Sequence, residues 1–245
     1  MKYYIHYTLW NKAAHVPWLC EGIVNCIPKG SVIDFVLDNC TDETEANLNW
    51  CINNKQYLQG WNVRMFKSTK KYRWPNTNDA MGRFLTSDCN VFISPQDDQK
   101  LQDRHLIKNL EFVLSQGAQV IGMRDGVING NELFSSNFSR GTAKTTWLAS
   151  GEFKEVDYIN DGPIALTRNA VTEIGLFDTE FWAHYADNDY CHRAKEKGYK
   201  VFVMGAEVVH EKWSCKICGN IQPSEVWGDD FSKHDYEIYK RKWLK

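Results

Sequence analysis

Residues 161–210 read DGPIALTRNAVTEIGLFDTEFWAHYADNDYCHRAKEKGYKVFVMGAEVVH. Pro163 to Thr167 is a short apolar run of strand length. Ala170 to Ile174 is expected to form a short helix that Gly175 ends. Tyr190 to Lys197 has helical composition and stops at Gly198, and Tyr199 to Met204 (YKVFVM) is a strand. Strand, helix, helix, strand within fifty residues is the rhythm of a layered α/β protein.

The rhythm continues on the N-terminal side. Tyr3 to Trp10 (YYIHYTLW), Val32 to Leu37 (VIDFVL), Val63 to Phe66, Asn90 to Ser94 (NVFIS) and Gln119 to Met123 (QVIGM) are β-branched or aromatic runs. Asp42-Glu43-Thr44-Glu45 has the form of a capped helix start, with Asp42 as cap and Glu45 reaching back. Leu48 and Ile52 mark one face of that helix, and Gly60 is placed to stop it. Leu101 to Gln116 carries Leu106, Leu110, Val113 and Leu114 at helical spacing, with Gly117 behind. Asn129 to Gly151 and Glu211 to Asp230 break the pattern and are expected to be long loops. The expected fold is α/β with a mainly parallel central sheet flanked by helices.

Composition agrees. The chain has 245 residues, 43% apolar, 13% aromatic and 24% charged, which excludes disordered and low-complexity classes. A net charge of -2 argues against general nucleic-acid binding, which needs a basic surplus. No run approaches the ~18 apolar residues of a membrane span. The opening MKYYIHYTLWNK is too polar for a signal-peptide core, so a reduced, cytoplasmic setting is expected. Cys20, Cys26, Cys40, Cys51, Cys89 and Cys191 are scattered singly, as small core hydrophobes are. Cys215 and Cys218 form one C-x-x-C, half of a zinc pattern that lacks a second half.

Two carboxylates, Asp97 and Asp98, follow the strand NVFIS directly after Ser94-Pro95-Gln96. Ligands of parallel sheets bind beyond the carboxyl ends of the strands. Adjacent carboxylates there suit a hard cation, Mg²⁺ or Mn²⁺, which can bridge a diphosphate. The competing reading is a solvated acidic turn.

Three segments together resemble the family 2 glycosyltransferases, which have the GT-A fold. They are Asp38-Asn39-Cys40-Thr41-Asp42-Glu43-Thr44 behind its strand, Ile93 to Asp98, and Asp161 to His210. Within the last, Ile174-Gly175-Leu176-Phe177-Asp178, Ala186-Asp187-Asn188-Asp189, Arg193, Gly198-Tyr199 and His210 follow the family's order. The resemblance implies one GT-A core over residues 1–210. Its nucleotide-sugar half is about 1–100 and its acceptor half about 101–210, with 211–245 a loop and helix packed on it. It implies inverting transfer from a nucleoside diphosphate sugar, UDP by default, to a hydroxyl of a glycan or lipid-linked acceptor.

Carried over by position, Thr8, Trp10, Asp38, Asn39, Asn78, Gln96 and Asp97 would contact the nucleotide. Asp98 and His210 would hold the metal, and Asp187 would be the base. The aromatic run around Trp182 and Tyr185, with Asp189, would face the acceptor. Alternatives stand beside several of these. Asp187 could cap the following helix, Asp189 could serve the helix dipole, and His210 could be structural. Gln96 and Ala186 replace acidic residues of the family pattern. These departures keep open a binding module without turnover. A sugar nucleotidyltransferase would want a Gly-rich, basic loop that Trp10 to Ala14 does not supply. The tail Phe231 to Lys245 is either an amphipathic helix for peripheral contact with an anionic membrane or a helix docked on the domain.

Overall fold

The computed structural model describes residues 1–70, 73–130, 132–136, 145–160, 162–210 and 230–244. The N-terminal half contains β1 (Tyr3–Leu9), α1 (Val16–Cys26), β2 (Val32–Asp38), α2 (Thr44–Asn53), β3 (Asn62–Ser68), α3 (Arg73–Leu85) and β4 (Val91–Ser94). There follow β5 (Gln99–Leu101), α4 (Leu106–Ser115), β6 (Val120–Gly122) and β7 (Asp125–Ile128). Next come β8 (Glu132–Ser135), β9 (Thr145–Trp147), β10 (Phe153–Glu155), β11 (Tyr158–Asn160) and β12 (Ile164–Thr167). The last elements are α5 (Arg168–Ile174), α6 (Ala186–Glu196), β13 (Val201–Met204), β14 (Val208–His210) and α7 (Phe231–Trp243).

Eight strands form the central sheet in the order β10-β13-β6-β12-β4-β1-β2-β3. The pairs β4/β1, β1/β2, β2/β3 and β13/β6 are parallel, whereas β12 and β10 run antiparallel to their neighbours. The expected mainly parallel sheet is therefore present. Both faces of this sheet are covered, which is why its inner strands read as continuous apolar runs. Tyr3, Ile5, Tyr7 and Leu9 pack with α1, α2 and α4 on one face. Tyr4 and Phe92 face α3, α5, α6 and α7 on the other.

Several boundaries differ from expectation. Helix α2 starts at Thr44 with no side-chain cap, so the capping box does not form. Asp42 instead accepts from Thr44 N, and Glu45 pairs with Lys67. The helix stops at Asn53, well before Gly60. Helix α4 starts at Leu106, because residues 99–101 form β5. The stretch 129–151 is not one loop: β8 and β9 join β7 and β11 in a second sheet, β11-β7-β8-β9. Strands of three or four residues with polar members carry no periodic signal, and their pairing is fixed by distant partners. Nearly all of 211–230, with Cys215 and Cys218, lies outside the described residues. Helices α1 and α3 have no counterpart among the composition-based expectations.

Helix α7 takes the docked alternative. Tyr239 stacks on Tyr185 and Trp243 on His192. Lys242 bonds Asp178 and Asp189, and Arg241 bonds Glu180. Tyr239, Trp243 and two of the cations thus face the domain. No helix among the described residues is long and apolar enough to cross a membrane.

Candidate active site

Strands β2, β1 and β4 lie side by side and parallel, so their carboxyl ends open on one rim. The loops leaving that rim are tied together. Asn11 Oδ1 accepts from Thr41 N at 2.8 Å, Asp42 Oδ2 from Ala13 N at 3.1 Å, and Thr44 Oγ1 from Lys12 N at 2.7 Å. Asn11 and Asn39 take positive φ values of 49° and 47° at the two turns, a conformation Asn tolerates. Much of the segment 38–44 therefore serves to fasten one rim loop to the next.

Three carboxylates meet there. Trp10 N donates to Asp97 Oδ2 at 3.3 Å, and the buried Lys12 Nζ stands 3.9 Å from Asp97 Oδ1. Burial pushes Asp97 up to about 6, the nearby Lys12 opposing and Asp98 adding to the rise. Burial, and then repulsion from Asp97, pushes Asp38 up to about 7. Such a desolvated acidic group is short of positive charge.

Asp98 is buried, and its Oδ2 lies 3.1 Å from His210 Nε2. The pairing of β14 with β5 sets His210 opposite Gln99 and so delivers it there. The other ring nitrogen, His210 Nδ1, is 2.5 Å from Arg124 Nη1. A guanidinium only donates, so Nδ1 accepts and the ring hydrogen sits on Nε2, aimed at Asp98. Asp98 Oδ1 is buried without a hydrogen-bond partner.

This arrangement fits a divalent cation at Asp98. An orphaned, buried carboxylate oxygen with the charge of Asp97 next to it is the oxygen chemistry Mg²⁺ or Mn²⁺ takes, with phosphates completing the shell. Among the described residues no group of three or more His, Cys, Asp or Glu side chains is placed to hold a metal ion, so a cation here would rely on Asp98 and on the phosphates of a bound nucleotide. His210 donates to Asp98 in this structure, a contact that orients the carboxylate.

The remaining candidates divide. Thr8 Oγ1 lies 3.0 Å from His6 Nε2, and His6 Nδ1 lies 3.0 Å from Asp34 Oδ1. Burial raises Asp34, but bonds from His6, Arg83 and Tyr4 outweigh it and hold the carboxyl well below the usual range. Asn39 is exposed on the rim, and Gln96 is half-buried with its N–H on Gln99 Oε1. Asn78 does not present its amide to a ligand. Nδ2 donates to Phe177 O at 2.8 Å, and Oδ1 accepts from Phe177 N at 2.9 Å. In this structure it stitches α3 to the segment after α5.

Asp187 lies in the first turn of α6, whose N-cap is Tyr185, so Asp187 is not the capping residue. Its Oδ1 accepts from the next N–H, Asn188, at 3.0 Å. Asn188 also reaches Asn160 Oδ1 at 3.3 Å, and Asn160 pairs with Asp125, the neighbour of Arg124. This chain of contacts leads from the start of α6 towards the Asp98 rim. Asp189 is fully buried and bonded to Arg193, Lys242 and Trp243. It ties α6 to α7, with its carboxylate enclosed in this structure. Trp182 and Tyr185 are half-buried in the loop before α6. Sequence reading passed over Arg124, although a cation directly after the strand QVIGM was a usable signal. It also passed over Asp235, for which the sequence offers none.

Neither a family model nor a curated relative matches the chain. Solved structures do. A crystal structure of S. aureus TarS 1-349 with UDP-GlcNAc aligns with TM-score 0.64 at 13% identity, over 96% of this chain and 64% of that one. A second crystal structure of S. aureus TarS aligns with TM-score 0.63 at 14% identity, over 98% of this chain and 44% of that one. The mannosyltransferase PcManGT from Pyrobaculum calidifontis, in complex with GDP-Man and Mn²⁺, aligns with TM-score 0.59 at 15% identity, over 89% and 58%. The chain thus spans under two thirds of the length of each of these three. At such identities the likeness is one of fold, and that fold is the GT-A fold of glycosyltransferases.

Proposed function

We propose that the protein is an inverting glycosyltransferase that moves a sugar from a nucleoside diphosphate sugar to a hydroxyl of a glycan or other acceptor. The observation that carries this reading is the rim itself. Thr8, Trp10, Asp38 and Asp97 come from the first hundred residues. His210 reaches Asp98 from the far half of the chain. The GT-A fold, and the nucleotide sugars bound in two similar structures, support it.

The donor half would be residues 1–100, with Thr8, Trp10, Asp38, Asn39, Gln96 and Asp97 around the nucleotide. A divalent cation held at Asp98 would supply positive charge against the leaving diphosphate. His210 would keep the Asp98 carboxylate aimed. Asp187 would take the proton of the acceptor hydroxyl as its oxygen bonds to the anomeric carbon. The bond from that carbon to the phosphate oxygen breaks, and the diphosphate departs with the electron pair. Such a base contributes roughly 10²–10⁴-fold. Trp182 and Tyr185, beside Asp187 in sequence, would take the acceptor's apolar face.

Thermal-shift measurements with UDP, GDP, dTDP and CDP, each with and without Mn²⁺, test the donor half. Stabilisation by one diphosphate, enhanced by Mn²⁺, is expected and names the donor class. Diphosphate release from UDP-GlcNAc or GDP-mannose then tests turnover. No response to any nucleotide would overturn the reading. Binding without release would leave a module that keeps the fold, a reading favoured by Ala186: it is fully buried where the family pattern has a carboxylate.

A further inference from the structure

Asp235, near the start of α7, is fully buried, and both its oxygens point at one short piece of backbone. Oδ1 accepts from Trp182 N at 2.9 Å, and Oδ2 from Ala183 N at 2.8 Å and His184 N at 2.7 Å. His234 Nδ1 adds a contact to Oδ1 at 2.9 Å, while its ring stacks on Trp182 at 3.7 Å. Three successive N–H groups converging on one carboxylate make a backbone nest with its anion supplied from another element. The next residue, Tyr185, has φ 62°, a left-handed conformation disfavoured for a bulky residue. Tyr239 of α7 stacks on it at 4.9 Å. Asp187 follows two residues later.

We propose that Asp235 is a positioning residue for transfer: through the 182–184 backbone it holds Tyr185 in its left-handed conformation and so sets where α6 begins and where Asp187 points. This rests on the reading of Asp187 as the base. The path is short and covalent. The nest fixes residues 182–184, and the α6 ladder fixes everything from Ala186. Tyr185 is the one link between them and must take the conformation that joins the two. A carboxylate suits the task because it accepts on both oxygens at once. An amide accepts on one and turns an NH₂ towards a backbone N–H, leaving donors of the nest without an acceptor. Helix α7 would therefore be a working part of the acceptor half.

The test is Asp235→Asn in the full chain, measured three ways. The first is affinity for UDP or GDP with Mn²⁺. The second is kcat for diphosphate release from whichever of UDP-GlcNAc and GDP-mannose the wild type turns over. The third is hydrogen exchange of the 182–184 amides. The expected result is a fall in kcat of tenfold or more, nucleotide affinity within twofold of wild type, and faster exchange confined to 182–187. A smaller fall in kcat, or nucleotide affinity falling with it, overturns the proposal. Should Asp235→Asn not fold, His234→Ala removes one bond to Asp235 and the stack on Trp182. It should lower kcat at least threefold at unchanged nucleotide affinity; unchanged kcat overturns the proposal. Wild-type protein that turns over no donor sinks the transferase reading instead, and the exchange measurement still tests the clamp.

Discussion

Asp98 and His210 stand 112 positions apart in the chain and 3.1 Å apart in space. The contact joins the loop after β4 to the end of β14, and the antiparallel β14/β5 pairing sets its register. It leaves one oxygen of Asp98 occupied and the other, Oδ1, buried and unmatched. Asp98→Ala should therefore abolish the gain in nucleotide affinity that Mn²⁺ confers. His210→Gln should weaken it by roughly 10–100-fold, the usual consequence of losing an outer-shell partner. Calorimetric titration of UDP or GDP in Mn²⁺ and in EDTA reads both. A Mn²⁺ increment that survives Asp98→Ala removes that residue from the cation site.

Asp187 is the residue on which chemistry is expected to turn. Asp187→Asn keeps the size of the side chain and its place in the first turn of α6. Nucleotide affinity should stay within twofold, while diphosphate release or transfer falls by roughly 10²–10⁴-fold. Near-normal turnover in this variant would take Asp187 out of the mechanism.

How much of this was legible in the sequence follows from where each signal resides. Strands β1, β2 and β4 are buried on both faces, so VIDFVL and NVFIS announce themselves, and the carboxylates at their ends stand out. Gly175 and Gly198 stop helices with φ of 92° and 79°, as a glycine after a helical run predicts. Strands β8 and β9 left no trace, because four and three residues cannot establish a period. Asn78, Asp189 and Asp235 are polar residues on helices, and from sequence their work could be anything. Their meaning is tertiary: each bonds groups far along the chain, in a geometry that position alone does not encode.

Asn78 offers a check on that point. Both atoms of its amide are engaged by the backbone of Phe177. Asn78→Ala leaves one N–H and one C=O of Phe177 unmatched, at a cost of about 1–3 kcal/mol for each group. The variant should unfold at lower urea concentration and bind nucleotide as the wild type does, per folded molecule. A large loss of nucleotide affinity with stability intact would restore the ligand-contact role.

Asp38 gives the pH dependence. Burial and the neighbouring Asp97 raise its carboxyl from the ordinary 3.8 to about 7 in the folded protein. Between pH 4 and 7 the folded chain therefore holds a proton that the unfolded chain has released. Stability contributed by this group is complete below pH 4 and is lost as pH rises towards 7. Asp38→Asn never carries the desolvated charge, so its advantage over wild type should be negligible near pH 4 and full by pH 8. An offset of this size corresponds to on the order of 2–4 kcal/mol. Urea unfolding of both proteins at pH 5 and pH 8, without metal, measures it. The same variant should bind nucleotide more weakly if Asp38 contacts the nucleoside as proposed. A stabilised protein with a poorer donor site would mean that this rim keeps an unfavourable carboxylate because binding needs it. Equal stability at both pH values would mean instead that solvent reaches Asp38 freely and that its charge costs the fold nothing.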